Sequence, residues 1–283
     1  MTKPVEDARR EPVAHKIRRQ TDAWGWPNRA ATCACAAVLL SCMPGDVSAA
    51  WVDQQSFGPL ACYAEFPLSE IQPLLAQLRQ LQADLVGALG IRAAEEPIEV
   101  YLFRSKGTYD QFLSRNFPKV TYRRALYIKD RGPGQVFAYR GPHFDVDLRH
   151  ESTHALLHGA LPMVPLWLDE GLAAYFENPP EKRAFDSPQW DGVRWSLRLG
   201  GVQRLETLEK KRRVEDMERA DYRSAWAWVH FMLHGSPDAQ DELVRFMADL
   251  QSGGPPGLLS QRLRQRLGNP TEQLAGHFRS WSR

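Results

Sequence analysis

The segment His150-Glu151-Ser152-Thr153-His154 sets two imidazoles four residues apart, with a carboxylate beside the first. On a helix that spacing puts both rings on one face, where they can converge on one ion. Zinc takes imidazole nitrogens at ~2.0–2.1 Å, and a hydrolytic site uses three protein donors and leaves a position for water. Glu151, next to the first imidazole, is placed to reach that water rather than the ion, and to take its proton. A third donor stands in Trp167-Leu168-Asp169-Glu170-Gly171-Leu172-Ala173-Ala174-Tyr175. A second helix folding back through residues 159–164 could present Glu170 to the same ion. The chemistry of such a set is hydrolysis by an activated water.

Other residues of similar type read differently. His158 extends the row of His150 and His154. It falls ~12 Å along the helix axis from His150, too far for one ion to take all three, so a structural role is expected. His230 and His234 are also four apart, but Trp226, Trp228, Phe231 and Met232 surround them, which points to core or capping histidines. The run Glu209-Lys210-Lys211-Arg212-Arg213 mixes both signs and reads as a solvated helix face. Gly132-Pro133-Gly134 is a turn without the pattern of a phosphate-binding loop.

Several elements must position these residues. A strand is expected within 57–66. A helix should follow, with Ser69 as N-cap, Gln72 at the capping-box position, leucines at helical intervals through Leu89 and a stop at Gly90. Ile98–Phe103 reads as a strand and Lys106–Asn116 as a short helix. Ala125–Ile128 and residues 135–139 are β-prone runs around Asp130-Arg131-Gly132-Pro133-Gly134, a hairpin by its turn chemistry. Residues 144–147 lead into a motif-bearing helix of about eleven residues that ends at Gly159. A second helix opens near Pro165 and runs to Asn178, where Pro179-Pro180 halts it. Helices are then expected over about 204–219, 222–234, 241–250 and 258–267. Strands first and helices later predict an α+β fold, with no linker long enough to force a second domain.

Composition excludes classes. At 43% hydrophobic and 25% charged, the 283-residue chain is neither disordered nor fibrous nor a polytopic membrane protein. Its 36 basic and 34 acidic residues give no general attraction for nucleic acid. The first 49 residues differ from the rest. A diluted positive opening precedes an apolar run from Ala30 to Leu40, too short to span a bilayer, and then the small-residue stretch Val47-Ser48-Ala49. These are the parts of a secretory leader, so export to the periplasm, cell surface or medium is expected. Leu39-Leu40-Ser41-Cys42 resembles a bacterial lipoprotein box, which would put a lipid on Cys42 as the only membrane attachment. Ordinary cleavage after Ala49 is the other exit. Without residues 1–49 the chain keeps 29 basic residues, 29 acidic residues and one cysteine, Cys62, so no intramolecular disulfide is expected. The expected division is a leader over 1–49 and one domain over 50–283, sheet-containing to about 160 and helical beyond.

Over about residues 98–281, and most strongly over 149–177, the sequence resembles the gluzincins, zinc metallopeptidases with two His and one Glu as ligands. Within them it is similar to the peptidase MA-like members, many of them uncharacterised exported bacterial proteins. The resemblance implies a zincin-like fold: a small N-terminal mixed sheet, an active-site helix and a mainly helical C-terminal part. It implies one Zn²⁺ per chain on His150, His154 and Glu170, with Glu151 as catalytic base. It also implies that Tyr222, opening a helix beyond the third ligand, stabilises the tetrahedral intermediate, and that residues 135–139 form the edge strand along which substrate lies.

Departures from relatives narrow the reading. The metzincin motif needs Gly and His where Leu157 and Ala160 stand. The thermolysin-type pattern has an acid where Ala174 stands, which leaves Asp169 and Glu177 as the acids available to orient the imidazoles. The Gly-Ala-Met-Glu-Asn-type run that recognises a free substrate N-terminus in aminopeptidases is absent. The leading expectation is a zinc-dependent metallopeptidase acting on peptides or proteins through a metal-activated water. A non-catalytic, metal-bound binding or scaffold module at the cell surface is the alternative. An amidase of cell-wall stem peptides is a third.

Overall fold

The computed structural model describes residues 51–280 except 119, 121–122, 130–131 and 200. The expected leader, including Cys42, and the Asp130-Arg131 part of the expected turn lie outside the described residues. All described residues belong to the compact unit Val47–Arg283. Among them, no helix is long and apolar enough to cross a membrane.

Five strands form one mixed sheet in the order β1-β2-β3-β5-β4. They are β1 (Asp53–Phe57), β2 (Leu60–Ala64), β3 (Ile98–Phe103), β4 (Ala125–Ile128) and β5 (Gly134–Tyr139). The strand expected within 57–66 is half of a hairpin: β1 and β2 run antiparallel with Phe57 opposite Leu60. Gly58 makes that two-residue connection at φ 53°, a left-handed conformation that costs glycine little. β1 escapes a periodicity search because its Asp-Gln-Gln-Ser-Phe sequence is polar, as suits an edge. β2, β3 and β5 are parallel, while β4 returns antiparallel to β5 as its turn chemistry predicts.

Alternation along the strands gives the sheet two apolar faces. Val100, Leu102, Val136 and Ala138 join the main core, whereas Phe103 and Phe137 point the other way. Helix α1 (Gln72–Leu89) contributes Leu74, Leu75, Leu78, Leu81, Leu85 and Leu89 to the main core, each worth roughly 1.5–3 kcal/mol when buried. It opens not at Ser69 but after a single 3-10 turn, Leu68–Ile71, without a side-chain cap. The Leu68 amide is instead satisfied by the Asp53 carboxylate at 2.8 Å, and Pro73 suits the first turn. On the other face, α2 (Lys106–Asn116) packs Tyr109 and Leu113 on Phe103 and Phe137. Cys62 is wholly buried in the main core, and burial pushes its thiol up to about 12.

The rest is helical: α3 (Phe144–Ala160), α4 (Leu166–Phe176), α5 (Pro180–Arg183), α6 (Gln189–Leu199), α7 (Leu205–Leu208), α8 (Arg219–His234), α9 (Pro237–Ser252), α10 (Leu259–Leu267) and α11 (Pro270–Ser280). The molecule is therefore a mixed α+β protein with a small five-stranded N-terminal sheet and a mostly helical remainder. The helix expected over 204–219 is not formed. Only α7 and a 3-10 turn, Val214–Asp216, interrupt that stretch. The charged run has no apolar stripe to bury, and Lys211 bends back to the Asp216 carbonyl at 2.6 Å and the Asp221 carboxylate at 3.0 Å.

Helix α4 lies buried between α3 and α8. Contact with α8 requires Gly171: a Cβ there would stand 2.8 Å from the Ala225 carbonyl oxygen and 2.9 Å from Val229 Cγ2. Gly171→Ala is expected to cost about 1–3 kcal/mol through overpacking. Gly87→Ala in α1, with nothing within 4 Å of the new methyl, is expected to be stabilising by about 0.5–1 kcal/mol. Thermal and urea denaturation of both variants beside wild type check the contrast.

Candidate metal centre

Helix α3 begins three residues before Asp147 and runs for 17 residues, longer than the motif alone predicts. Asp145 and Asp147 in its first turn favour the positive helix end. Leu148, Ala155, Leu156 and Leu157 bury one side of α3, leaving His150, His154 and His158 on successive turns of another. Helix α4 follows Pro165, and Asp169 and Glu170 are both nearly buried on it.

The three predicted donors meet. His150 Nε2 and His154 Nε2 are 3.2 Å apart, and Glu170 Oε2 lies 3.7 Å and 3.9 Å from them. Donors of one tetrahedral zinc ion are separated by ~3.3 Å, so this set could hold a metal ion with small adjustments. The outer nitrogens explain why the inner ones are available. His150 Nδ1 is 2.9 Å from Glu177 Oε2, and His154 Nδ1 is 2.8 Å from Asp169 Oδ1. An imidazole that donates from Nδ1 to a carboxylate turns the Nε2 lone pair inward, as in carboxylate–histidine–metal sites. The acid missing at position 174 is thus replaced by Asp169 and Glu177, the two acids the sequence leaves available.

Electrostatics favour positive charge here. Burial alone would lower the His150 imidazolium, but hydrogen bonds to Glu170 and Glu177 outweigh it and raise the group well above its ordinary value. His154 is likewise raised, against its burial, by the charge and hydrogen bond of Asp169. Burial would raise Asp169, yet His154 and His158 hold it well below the carboxylate range. The buried acids therefore make this pocket electrostatically suited to a cation.

His158 is tied to the same network: its Nε2 lies 2.9 Å from Asp169 Oδ2, and its ring stacks on Tyr127 at 5.7 Å. His154, His158 and Asp169 form a second cluster of possible metal donors. There the two imidazoles already bond separate oxygens of Asp169, so the convergent nitrogens of the first cluster are the better metal donors. His230 is buried, bonds the Ala184 carbonyl at 2.9 Å and His277 at 3.0 Å, and is lowered to about 3 by burial. It belongs to the core, as its neighbours predict.

Glu151 opens onto a cleft of about 290 Å³, lined also by Arg123, Arg124, Ala125, Asp147, His150 and Glu177. Tyr222 is half-buried in the first turn of α8, directly after Asp221 of the Glu218–Asp221 capping box. Burial and the Glu170 carboxylate push its phenol up to about 12, so at neutral pH it carries its proton. The expected edge strand over 135–139 is corrected. β5 is enclosed between β3 and β4, because it pairs parallel with β3 and antiparallel with β4. The edge beside the cleft is β4, whose Ala125 lines it. Sequence reasoning also missed Arg149. It is buried on α3 and donates to the Glu177 carbonyl and to Gln77 Oε1 at 2.7 Å, fastening the end of α4 to α1.

No family model matches the chain, and no curated protein matches it. Among solved structures, an M1 zinc metallopeptidase from Deinococcus radiodurans aligns with 82% of this chain at 17% identity and a TM-score of 0.45. A point mutant of the Deinococcus radiodurans M1 zinc metallopeptidase aligns with 80% at 19% identity and a TM-score of 0.44. The chain spans about half the length of these proteins, 52% and 50% respectively.

Loss of an outer carboxylate typically weakens a metal site 10–100-fold. Asp169→Asn and Glu177→Gln are therefore each expected to lower zinc affinity by about that factor in chelator competition, with the fold retained. His150→Ala, His154→Ala and Glu170→Ala should each abolish stoichiometric zinc. Full zinc content in folded Glu170→Ala would refute its place among the donors.

Proposed function

We propose that this chain is an exported, zinc-dependent metallopeptidase of gluzincin type with a zincin-like fold. The observation that carries the proposal is the convergence of His150 Nε2, His154 Nε2 and Glu170 Oε2 beside a cleft that contains Glu151. A zinc ion held by these three side chains would supply Lewis-acid polarisation of the substrate carbonyl and an activated water.

The remaining steps belong to the protein. An extended peptide adds to the free edge of β4, whose backbone groups orient it beside the cleft. Glu151 takes a proton from the attacking water as the carbonyl carbon gains its oxygen. As the carbon–nitrogen bond breaks, Glu151 returns that proton to the leaving amine, so amide and water become carboxylic acid and amine. Tyr222, protonated at neutral pH, donates to the oxygen on which negative charge develops. The leader over 1–49 supports export, with Cys42 as the candidate lipid attachment. The balanced charge supports peptide rather than nucleic acid as substrate.

The scaffold alternative draws on the acid missing at position 174 and on the missing run that recognises a substrate N-terminus. Asp169 and Glu177, bonded to the outer imidazole nitrogens, answer the first of these. Glu151→Gln is expected to keep zinc and lose about 10²–10⁴-fold in turnover, the range of general-base catalysis. Tyr222→Phe should lose about 10²–10³-fold in kcat with little change in KM. Mass spectrometry of products from a mixed peptide library, alongside metal analysis, measures both. Zinc-loaded wild type that cleaves nothing would favour the scaffold, and products from murein fragments alone would favour the amidase.

A further inference from the structure

The cleft beside Glu151 is lined by five charged side chains besides His150. Arg124 is paired with Asp147 at 2.9 Å, and Glu177 with His150 at 2.9 Å. Two remain without an ion pair among the described residues: Glu151, whose task in the proposed reaction is proton transfer, and Arg123. The guanidinium of Arg123 is exposed at the cleft, while its backbone is fixed from below. Its carbonyl accepts a 2.9 Å hydrogen bond from Tyr109, whose ring is wholly buried against Phe103. Arg123 also stands two residues before β4, at the end of the strand that borders the cleft. Its charge acts on Tyr222, where it opposes the upward shift that burial and Glu170 impose.

We infer that Arg123 is a specificity-determining residue that binds a carboxylate of the substrate, so that the cleft selects acidic peptides. The inference rests on the peptidase reading for its substrate class. An arginine presents a planar fork of donors that matches a carboxylate bidentately, and a charge-assisted pair of this kind contributes more than a neutral hydrogen bond. A peptide lying along β4 carries carboxylates in two places, on Asp or Glu side chains and at its C-terminus. Both offer the same chemistry to Arg123. Asp147 is already paired with Arg124 and Glu177 is hydrogen-bonded to His150, so Arg123 is the cation left to a substrate carboxylate, which must sit clear of Glu151.

The test uses four matched forms of each fluorophore-labelled peptide in a mixed set: Asp/Glu or Asn/Gln inside, and free acid or amide at the C-terminus. Cleavage is followed with zinc-loaded wild type and binding with zinc-loaded Glu151→Gln by fluorescence anisotropy. In both arms one carboxylate source is expected to be preferred about tenfold or more over its neutral counterpart, mainly through KM or Kd. The preferred form identifies the source. Arg123→Ala should erase the preference while leaving neutral peptides unaffected, and Arg123→Lys should restore part of it. Equal treatment of all four forms by wild type overturns the inference. So does a preference that survives Arg123→Ala, or a kcat loss common to every form. If wild type cleaves nothing, the peptidase reading falls, and the binding arm decides on Arg123 independently: carboxylate-dependent binding lost in Glu151→Gln/Arg123→Ala supports it, and its absence overturns it.

Discussion

The site depends on one buried helix aiming its carboxylates at the imidazoles of another. Glu170 and Glu177 are seven residues apart on α4 and its C-terminal cap, two turns along one face. His150 sits between them, with Nε2 towards Glu170 and Nδ1 towards Glu177. Asp169, one residue earlier, serves His154 and His158 with its two oxygens. Removing such acids from water costs several kcal/mol each unless they are paired, so the two helices must stay in register. Gly171 allows α4 to seat against α8, and Arg149 pins its far end to α1. Much of the helical half can be understood as the frame for this clamp.

The sheet contributes differently. It supplies an apolar face on which α3 packs, and the Ala125 end of its edge strand β4 lines the cleft. Tyr127 on that edge stacks on His158, which bonds Asp169, which in turn orients His154. The edge and the imidazole pair therefore share one rigid connection. Precision of this kind comes from groups whose own positions are fixed by packing rather than from the donors alone.

The donors are legible because their spacing is local: four residues on one helix and a second, acid-bearing segment soon after. Leucine periodicity located α1, and β-branched and aromatic runs located β3, β4 and β5. What depends on helix–helix crossing was not legible. Asp169 and Glu177 could be named only as available acids, and Arg149 not at all, because each acts across a contact between distant elements. β1 was hidden by its glutamines and serine. The charged stretch around Lys210 looked helical because charge tolerates helix, yet without an apolar face it had nothing to hold it. Residues 135–139 read as a strand, but their interior place between β3 and β4 is not legible, since pairing order is a property of the sheet. Arg123 carries no motif; only a count of which charges find partners brings it out.

Cys62 has a consequence for how the polypeptide matures. Its thiol lies wholly inside the core, and burial holds it protonated far above neutral pH. A thiolate is what attacks disulfides and alkylating reagents, so this sulfur is chemically silent once the chain has folded. Among the described residues Cys62 is the sole cysteine, so their fold is held by packing and hydrogen bonds without a disulfide.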